Sequence, residues 1–216
     1  MNDLANPLAH QFDDLDQQRD AAELGMWVFL ATEVLFFGGL FLAYAVYRGQ
    51  YGEAFAAASH HLDSWLGAAN TLVLLTSSLT MALAVHAAQT GQRGLLVGLL
   101  LATLLLGAVF LGVKLYEYHH KYEEQLVPLF GLPFHYEGSA RSQAMMFFTL
   151  YFIMTGVHAL HMVIGIGVLG TLVVLAWRDG LLAERYIPVH LTGLYWHFVD
   201  IVWVFLFPFL YLVGTR

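Results

Sequence analysis

The chain reads as an all-α integral membrane protein built on five transmembrane helices. Three observations predict this. Of its 216 residues, 59% are hydrophobic and only 12% charged, a charge deficit that a soluble domain does not show. The apolar residues gather in five stretches, roughly 24–47, 66–87, 95–116, 144–177 and 190–213, each able to cross ~30 Å of hydrocarbon at about 1.5 Å per helical residue. No stretch alternates with a strand period, and a backbone inside lipid must satisfy its own hydrogen bonds, so each span is a helix. No internal repeat interrupts the pattern, so residues 24–216 form one domain behind a polar, acidic tail, 1–23.

In the tail, Leu8, Phe12 and Leu15 are the large apolar side chains of the part beyond residue 7. Asp20-Ala21-Ala22-Glu23 has capping-box spacing and sets acids at the positive end of the first helix. The acidic start and a Glu within the first apolar stretch argue for a retained span rather than a signal peptide, although Ala43-Tyr44-Ala45 resembles a cleavage site. The fourth span is long and should tilt or protrude. Loops are short except 117–143, where Tyr118, Tyr122, Glu123 and Glu124 precede Pro128, Gly131 and Pro133; this predicts an interfacial helix turn and then a folded excursion. Trp27, Tyr44, Tyr47, Trp65, Tyr116, Trp177 and Tyr211 near the span ends fit an interfacial belt. With the N-terminus inside, Arg19, Arg93, Arg178 and Arg185 face Arg48, Lys114, Lys121, Arg141 and Arg216 across the membrane, which does not orient the chain; the short interior loops alone favour N-inside.

The absence of cysteine excludes disulfides, thiolate metal sites and thiol catalysis, and a net charge of −7 argues against nucleic-acid binding. The chemistry must come from ionisable residues within the spans, which usually face other helices and have partners. Glu33 in the first span and His197 in the fifth lie at similar distances from their helix starts and can meet at one depth. Their meeting admits two readings, a packing contact or a carboxylate serving a lipid headgroup or a proton. His197 and Asp200 share a face, as do His158 and His161. Three His and two acids suffice for a metal or haem site on paper, but His-x-x-His lacks the Glu-x-x-His pattern of metal-binding bundles. Asn70, Ser77 and Ala84 fall seven apart, as one packing seam requires, and Gly94-x-x-x-Gly98 and Gly165, Gly167 and Gly170 allow close approach. Lys114 and Glu117 have the spacing of a local ion pair at the membrane surface. His60-His61 and His119-His120 should share one membrane face as surface histidines.

Several of these segments together resemble a family. Gly25-Met-Trp-Val-Phe-Leu-Ala-Thr-Glu33-Val-Leu-Phe-Phe37, Asn70-Thr71 with Thr76-Ser77-Ser78, Phe110-Leu-Gly-Val-Lys-Leu-Tyr-Glu117-Tyr118, Gly156-Val-His158-Ala-Leu-His161 and Tyr195-Trp196-His197-Phe-Val-Asp200-Ile-Val-Trp203 occur in the order of subunit III of the haem-copper terminal oxidases, in its five-helix bacterial form. The resemblance implies helices splayed into two groups around a lipid-binding cleft, in a multi-pass subunit of the bacterial inner membrane with a cytoplasmic N-terminus. It implies no catalytic residue, cofactor site or metal site in this chain, with haem and copper in partner subunits and phospholipid bound here. The implied partners are subunit I directly, then subunit II, a small subunit IV and a respiratory supercomplex. The implied role is to stabilise subunit I and support its proton uptake. Glu33 matches the family's membrane carboxylate; His158, His161, His197, Asp200, Trp196 and Trp203 match the other membrane motifs and join it as lipid or proton-environment residues. Asn70, Ser77, Lys114 and Glu117 match as structural polar positions.

Cytochrome c ranks first as the electron donor of such a complex, with a quinol oxidase or a nitric-oxide-reductase-associated homologue as alternatives. From other classes stand an autonomous haem-binding electron carrier using His158 or His161 with His197, and a small transporter, which the lack of inverted repeats disfavours.

Overall fold

The computed structural model describes residues 10–129, 131–136, 138, 140–178 and 186–214; residues 1–9 of the tail, Arg185 and Arg216 lie outside them. The described residues form α1 (Leu15–Gln50), α2 (Gly52–Ser59), α3 (Ser64–Gln89), α4 (Arg93–Glu123), α5 (Arg141–Trp177) and α6 (Ile187–Tyr211). Among them, five helices are long and apolar enough to cross a membrane, which makes this a multi-pass membrane protein.

The ends of the helices depart from the sequence reading where polar residues carry a helix past the apolar stretch. α1 begins well before the Asp20 capping box. Asp14 is its N-cap, accepting from the Gln17 amide, while the Gln17 side chain accepts from the Asp13 amide. The 36 residues of α1 span ~54 Å, so part of the expected tail is a helical shaft beyond the bilayer. α4 likewise runs on through Glu123, where His119–Glu123 and Lys121–Glu124 pairs line the last turns. The short α2, which the sequence reading left as loop, packs on α5 through the buried Phe55, whose ring stands edge-on to Phe147 at 5.5 Å.

α3 and α4 pack on each other, α6 packs on α3, α5 packs on α4, and α5 and α6 close the group against each other; α1 makes its main contacts with α2, α5 and α6. The splay therefore takes the form of a four-helix group and one outlying helix. Asn70, Ser77 and Ala84 are all buried on one seam of α3. Close helix approach uses Gly165, as expected, together with Gly107, which the spacing did not single out, and not the expected Gly94, Gly98 and Gly167. Gly94 and Gly98 have open space where a Cβ would point, whereas a Cβ on Gly107 would come within 2.8 Å of the Trp196 ring and one on Gly165 within 2.9 Å. The Trp196 indole is thus seated between α4 and α5, and its N–H donates to Ser77 Oγ at 2.8 Å. Trp65, Trp177, Tyr116 and Trp27 are exposed, as a belt requires, but Tyr44 and Tyr211 are buried inside the bundle. Arg93 at the start of α4 donates to the carbonyls of Ala176 and Trp177, tying it to the end of α5.

Candidate functional site

Two polar centres occupy the spans. The first surrounds Lys114, expected at the membrane surface but only 2% exposed, with Glu117 at 4%. Lys114 Nζ donates to Glu117 Oε2 at 2.9 Å, to Tyr151 Oη at 3.0 Å and to Tyr211 Oη at 2.7 Å. Both tyrosine hydroxyls donate in turn to Glu117 Oε1, at 2.9 Å and 2.6 Å. All three ammonium protons and both carboxylate oxygens are therefore engaged across α4, α5 and α6. The rings of Trp203, Tyr118, Tyr151 and Tyr211 lie 5.1–5.4 Å from the same nitrogen, adding cation–π attraction. The pair is buried because neighbouring helices bring hydroxyls to it, which spacing within α4 alone does not reveal. Tyr151 and Tyr211 were absent from the sequence-predicted site. A Tyr hydroxyl within an apolar span, needing a partner, is the signal that could have found them.

The second centre lies where α1 meets α5 and α6. Glu33 Oε2 is 3.1 Å from His161 Nε2, with side chains 20% and 13% exposed. His161 Nδ1 sits 2.9 Å from the Val157 carbonyl, and Tyr195 Oη donates to the His161 carbonyl at 3.0 Å. Glu33 thus meets His161, not the expected His197. His197 turns to α3, with Nδ1 2.8 Å from Ser78 Oγ. Asp200, one turn on, is buried and approaches the Ser78 hydroxyl, though neither of its oxygens makes a well-formed hydrogen bond among the described residues.

His158 and His161 occupy neighbouring turns yet serve different surroundings. His158 is buried between the rings of Phe110 and Trp203, at 5.5 and 5.3 Å, and its two nitrogens have no hydrogen-bond partner among the described residues. The three membrane histidines point to three separate neighbours and do not converge. Trp203 Nε1 donates to Thr71 Oγ1 at 3.0 Å, and Asn70 Nδ2 to the Phe110 carbonyl at 3.3 Å. The paired histidines His60, His61 and His120 line one surface pocket at the far end of α4.

Between α1 and α6 runs an apolar cleft of about 660 Å³. Its walls include Trp27, Phe37, Phe41, Phe198 and Phe205, with His197 the single ionisable side chain among its lining residues. This arrangement can hold an apolar chain. Among the described residues, no group of three His, Asp or Glu side chains is placed to hold a metal ion.

The family model described as cytochrome c oxidase subunit III matches residues 9–215. The chain belongs to that family. It is 31% identical to the cytochrome bo(3) ubiquinol oxidase subunit 3 of Pseudomonas aeruginosa, over 98% of this chain and 94% of the relative. It is 30% identical to the probable quinol oxidase subunit 3 of Staphylococcus epidermidis, over 95% of this chain and 96% of the relative. A Staphylococcus aureus relative with the same description is 30% identical over 96% of this chain and 98% of the relative. A subunit III implies a complex with catalytic subunits, so the chain is an accessory part of a terminal oxidase rather than an enzyme by itself.

Proposed function

We propose that this chain is the accessory subunit III of a haem-copper quinol oxidase in a bacterial cytoplasmic membrane. It packs directly on subunit I, in a complex with subunit II and a small subunit IV. The observation that carries the donor is the near full-length similarity to a ubiquinol oxidase subunit and to quinol oxidase subunits. It replaces cytochrome c, ranked first on the sequence alone, with quinol. In this reading the redox centres lie in the partner subunits and this chain supplies structure. Its ionisable groups support that role, because Lys114 with Glu117 and Glu33 with His161 are partnered across helices.

The α1–α6 cleft retains lipid beside subunit I. Apolar walls exclude water there, which holds the geometry of the subunit contact through turnover. Glu33 and His161 set the polar environment at the edge of that contact and support proton uptake into subunit I. The N-terminus is cytoplasmic, which places α2 and the segment after α4 on the outer face. Affinity purification in mild detergent, followed by turnover assays, tests the assignment. The co-purifying complex should oxidise quinol and not reduced cytochrome c; the opposite preference overturns the donor. Glu33→Gln should shorten the active lifetime during turnover with haem content unchanged, and an unaltered lifetime with unaltered proton uptake retires the role of Glu33.

A further inference from the structure

We propose that Asp200, Ser78 and His197 form a proton-holding unit inside the four-helix group, in which the Ser78 hydroxyl joins the carboxyl to the imidazole. The unit deepens the proton-handling part of the proposed function and rests on that reading for what the proton serves. Its own support lies in the seam between α3 and α6.

That seam encloses Asp200 without giving it a cation. The residue is 3% exposed, and neither carboxyl oxygen has a well-formed hydrogen bond among the described residues. Its neighbours on α6 donate elsewhere, the Trp196 N–H to Ser77 and the Trp203 N–H to Thr71. The charged groups of the other helices are engaged as well. Lys114 of α4 is held by Glu117, Tyr151 and Tyr211, and His161 of α5 by Glu33 of α1. His158 of α5 stands between the rings of Phe110 and Trp203. A lone carboxylate enclosed in this way is strongly unfavourable. The site therefore accommodates Asp200 as the neutral acid, or as a carboxylate while His197 is an imidazolium.

Ser78 links the two. Nearby hydroxyls of α3 donate back to their own helix, Thr71 to the Gly67 carbonyl and Thr76 to that of Leu72. Ser78 instead crosses to α6, with its Oγ 2.8 Å from His197 Nδ1. Asp200, three residues after His197 and so on the same face of α6, approaches that hydroxyl as well. One hydroxyl thus stands beside an acid and a base that spacing along α6 brings together.

A hydroxyl can accept one proton while giving up its own. With the imidazole hydrogen on Nε2, the Nδ1 lone pair faces Ser78. The carboxyl O–H bond then breaks as a new Ser78 O–H bond forms, and the original Ser78 proton moves to Nδ1. Carboxylate, hydroxyl and imidazolium result, and the reverse step restores acid and neutral imidazole. The unit holds the same number of protons and no net charge in both forms. Separated charges are the less stable form in a low-dielectric interior, so the proton rests on the carboxyl. Asp200 is enclosed and His197 half-buried, so exchange with the surroundings passes through the imidazole.

The test is infrared difference spectroscopy on the whole purified oxidase complex. Wild type minus Asp200→Asn should contain the carbonyl band of one un-ionised carboxyl, and Ser78→Ala should shift that band by removing its hydrogen-bond partner. In heavy water the band should move as the proton exchanges, and move more slowly in Ser78→Ala and His197→Phe; a carboxyl that serves packing alone has no such dependence on the two side chains. Should Asp200→Asn not assemble, carbon-13 labelling of aspartate carboxyls in the wild-type and Ser78→Ala complexes makes the same assignment. A wild-type complex without the band, or a band that Ser78→Ala leaves in place with its exchange unchanged, overturns the inference. Glu33→Gln separates this unit from the function given to Glu33. The band should persist in that variant, and persistence with unaltered proton uptake retires the role of Glu33 while the unit stands.

Discussion

Lys114 and Glu33 are both ionisable side chains on spanning helices, and the bundle holds them in opposite ways. Lys114 is enclosed on all sides, with Glu117, Tyr151 and Tyr211 filling its donor positions. Glu33 has one partner, His161, reached across the gap between α1 and the four-helix group, and remains partly exposed. The first centre joins three helices that also interlock through Trp196, Gly107 and Gly165. The second joins a helix whose neighbouring wall is a cleft. Burial with complete partnering fixes a fold. Incomplete burial beside open apolar space leaves a surface at which a lipid or a neighbouring subunit can act.

The contrast is broken most severely at Lys114. Lys114→Met leaves the Glu117 carboxylate buried without its cation, and removal of one partner from a buried pair costs about 3–5 kcal/mol. The variant should fail to accumulate or lose subunit III from the purified complex, measured by subunit stoichiometry. Lys114→Met with Glu117→Leu should recover much of that loss, because an apolar replacement of both partners leaves no orphaned charge. Next in size is Gly107→Val, whose branched side chain must displace the Trp196 ring; overpacking of this kind costs about 1–3 kcal/mol, read as a lowered midpoint of thermal dissociation. Glu33→Gln should change that midpoint little, since an interhelical hydrogen bond in a membrane averages about 0.6 kcal/mol. A large drop would place Glu33 with the structural centre and erase the distinction. Gly38→Ala should not destabilise at all, being neutral or stabilising by up to about 1 kcal/mol through helix propensity, because its added methyl meets nothing.

The spans could be read from sequence because lipid imposes one rule on every residue of a segment, and a run of apolar residues satisfies it without reference to the rest of the chain. Partner choice obeys no such local rule. Glu33 and His197 share a depth, yet the rotation of α5 brings His161 to α1 and that of α6 turns His197 to Ser78. Spacing within α4 paired Lys114 with Glu117 but was silent about Tyr151 and Tyr211, which come from helices far along the chain. The same limit applies to small residues. Gly94-x-x-x-Gly98 has the spacing for close approach, but a glycine is necessary only where a neighbour occupies the place of its Cβ, as the Trp196 ring does at Gly107 and at Gly165. The family resemblance placed the membrane motifs in order; their hydrogen bonds required three dimensions.

The seat of the Trp196 indole has a bearing on biogenesis. α6 is synthesised after α3, α4 and α5, yet it carries the ring that fits against two of them and the Tyr211 hydroxyl that completes the shell of Lys114. Until it enters the bilayer, the earlier helices hold a slot lined by glycine and an ammonium lacking one of its ligands. The nascent bundle is therefore incomplete until α6 inserts, and that insertion is the step that closes it.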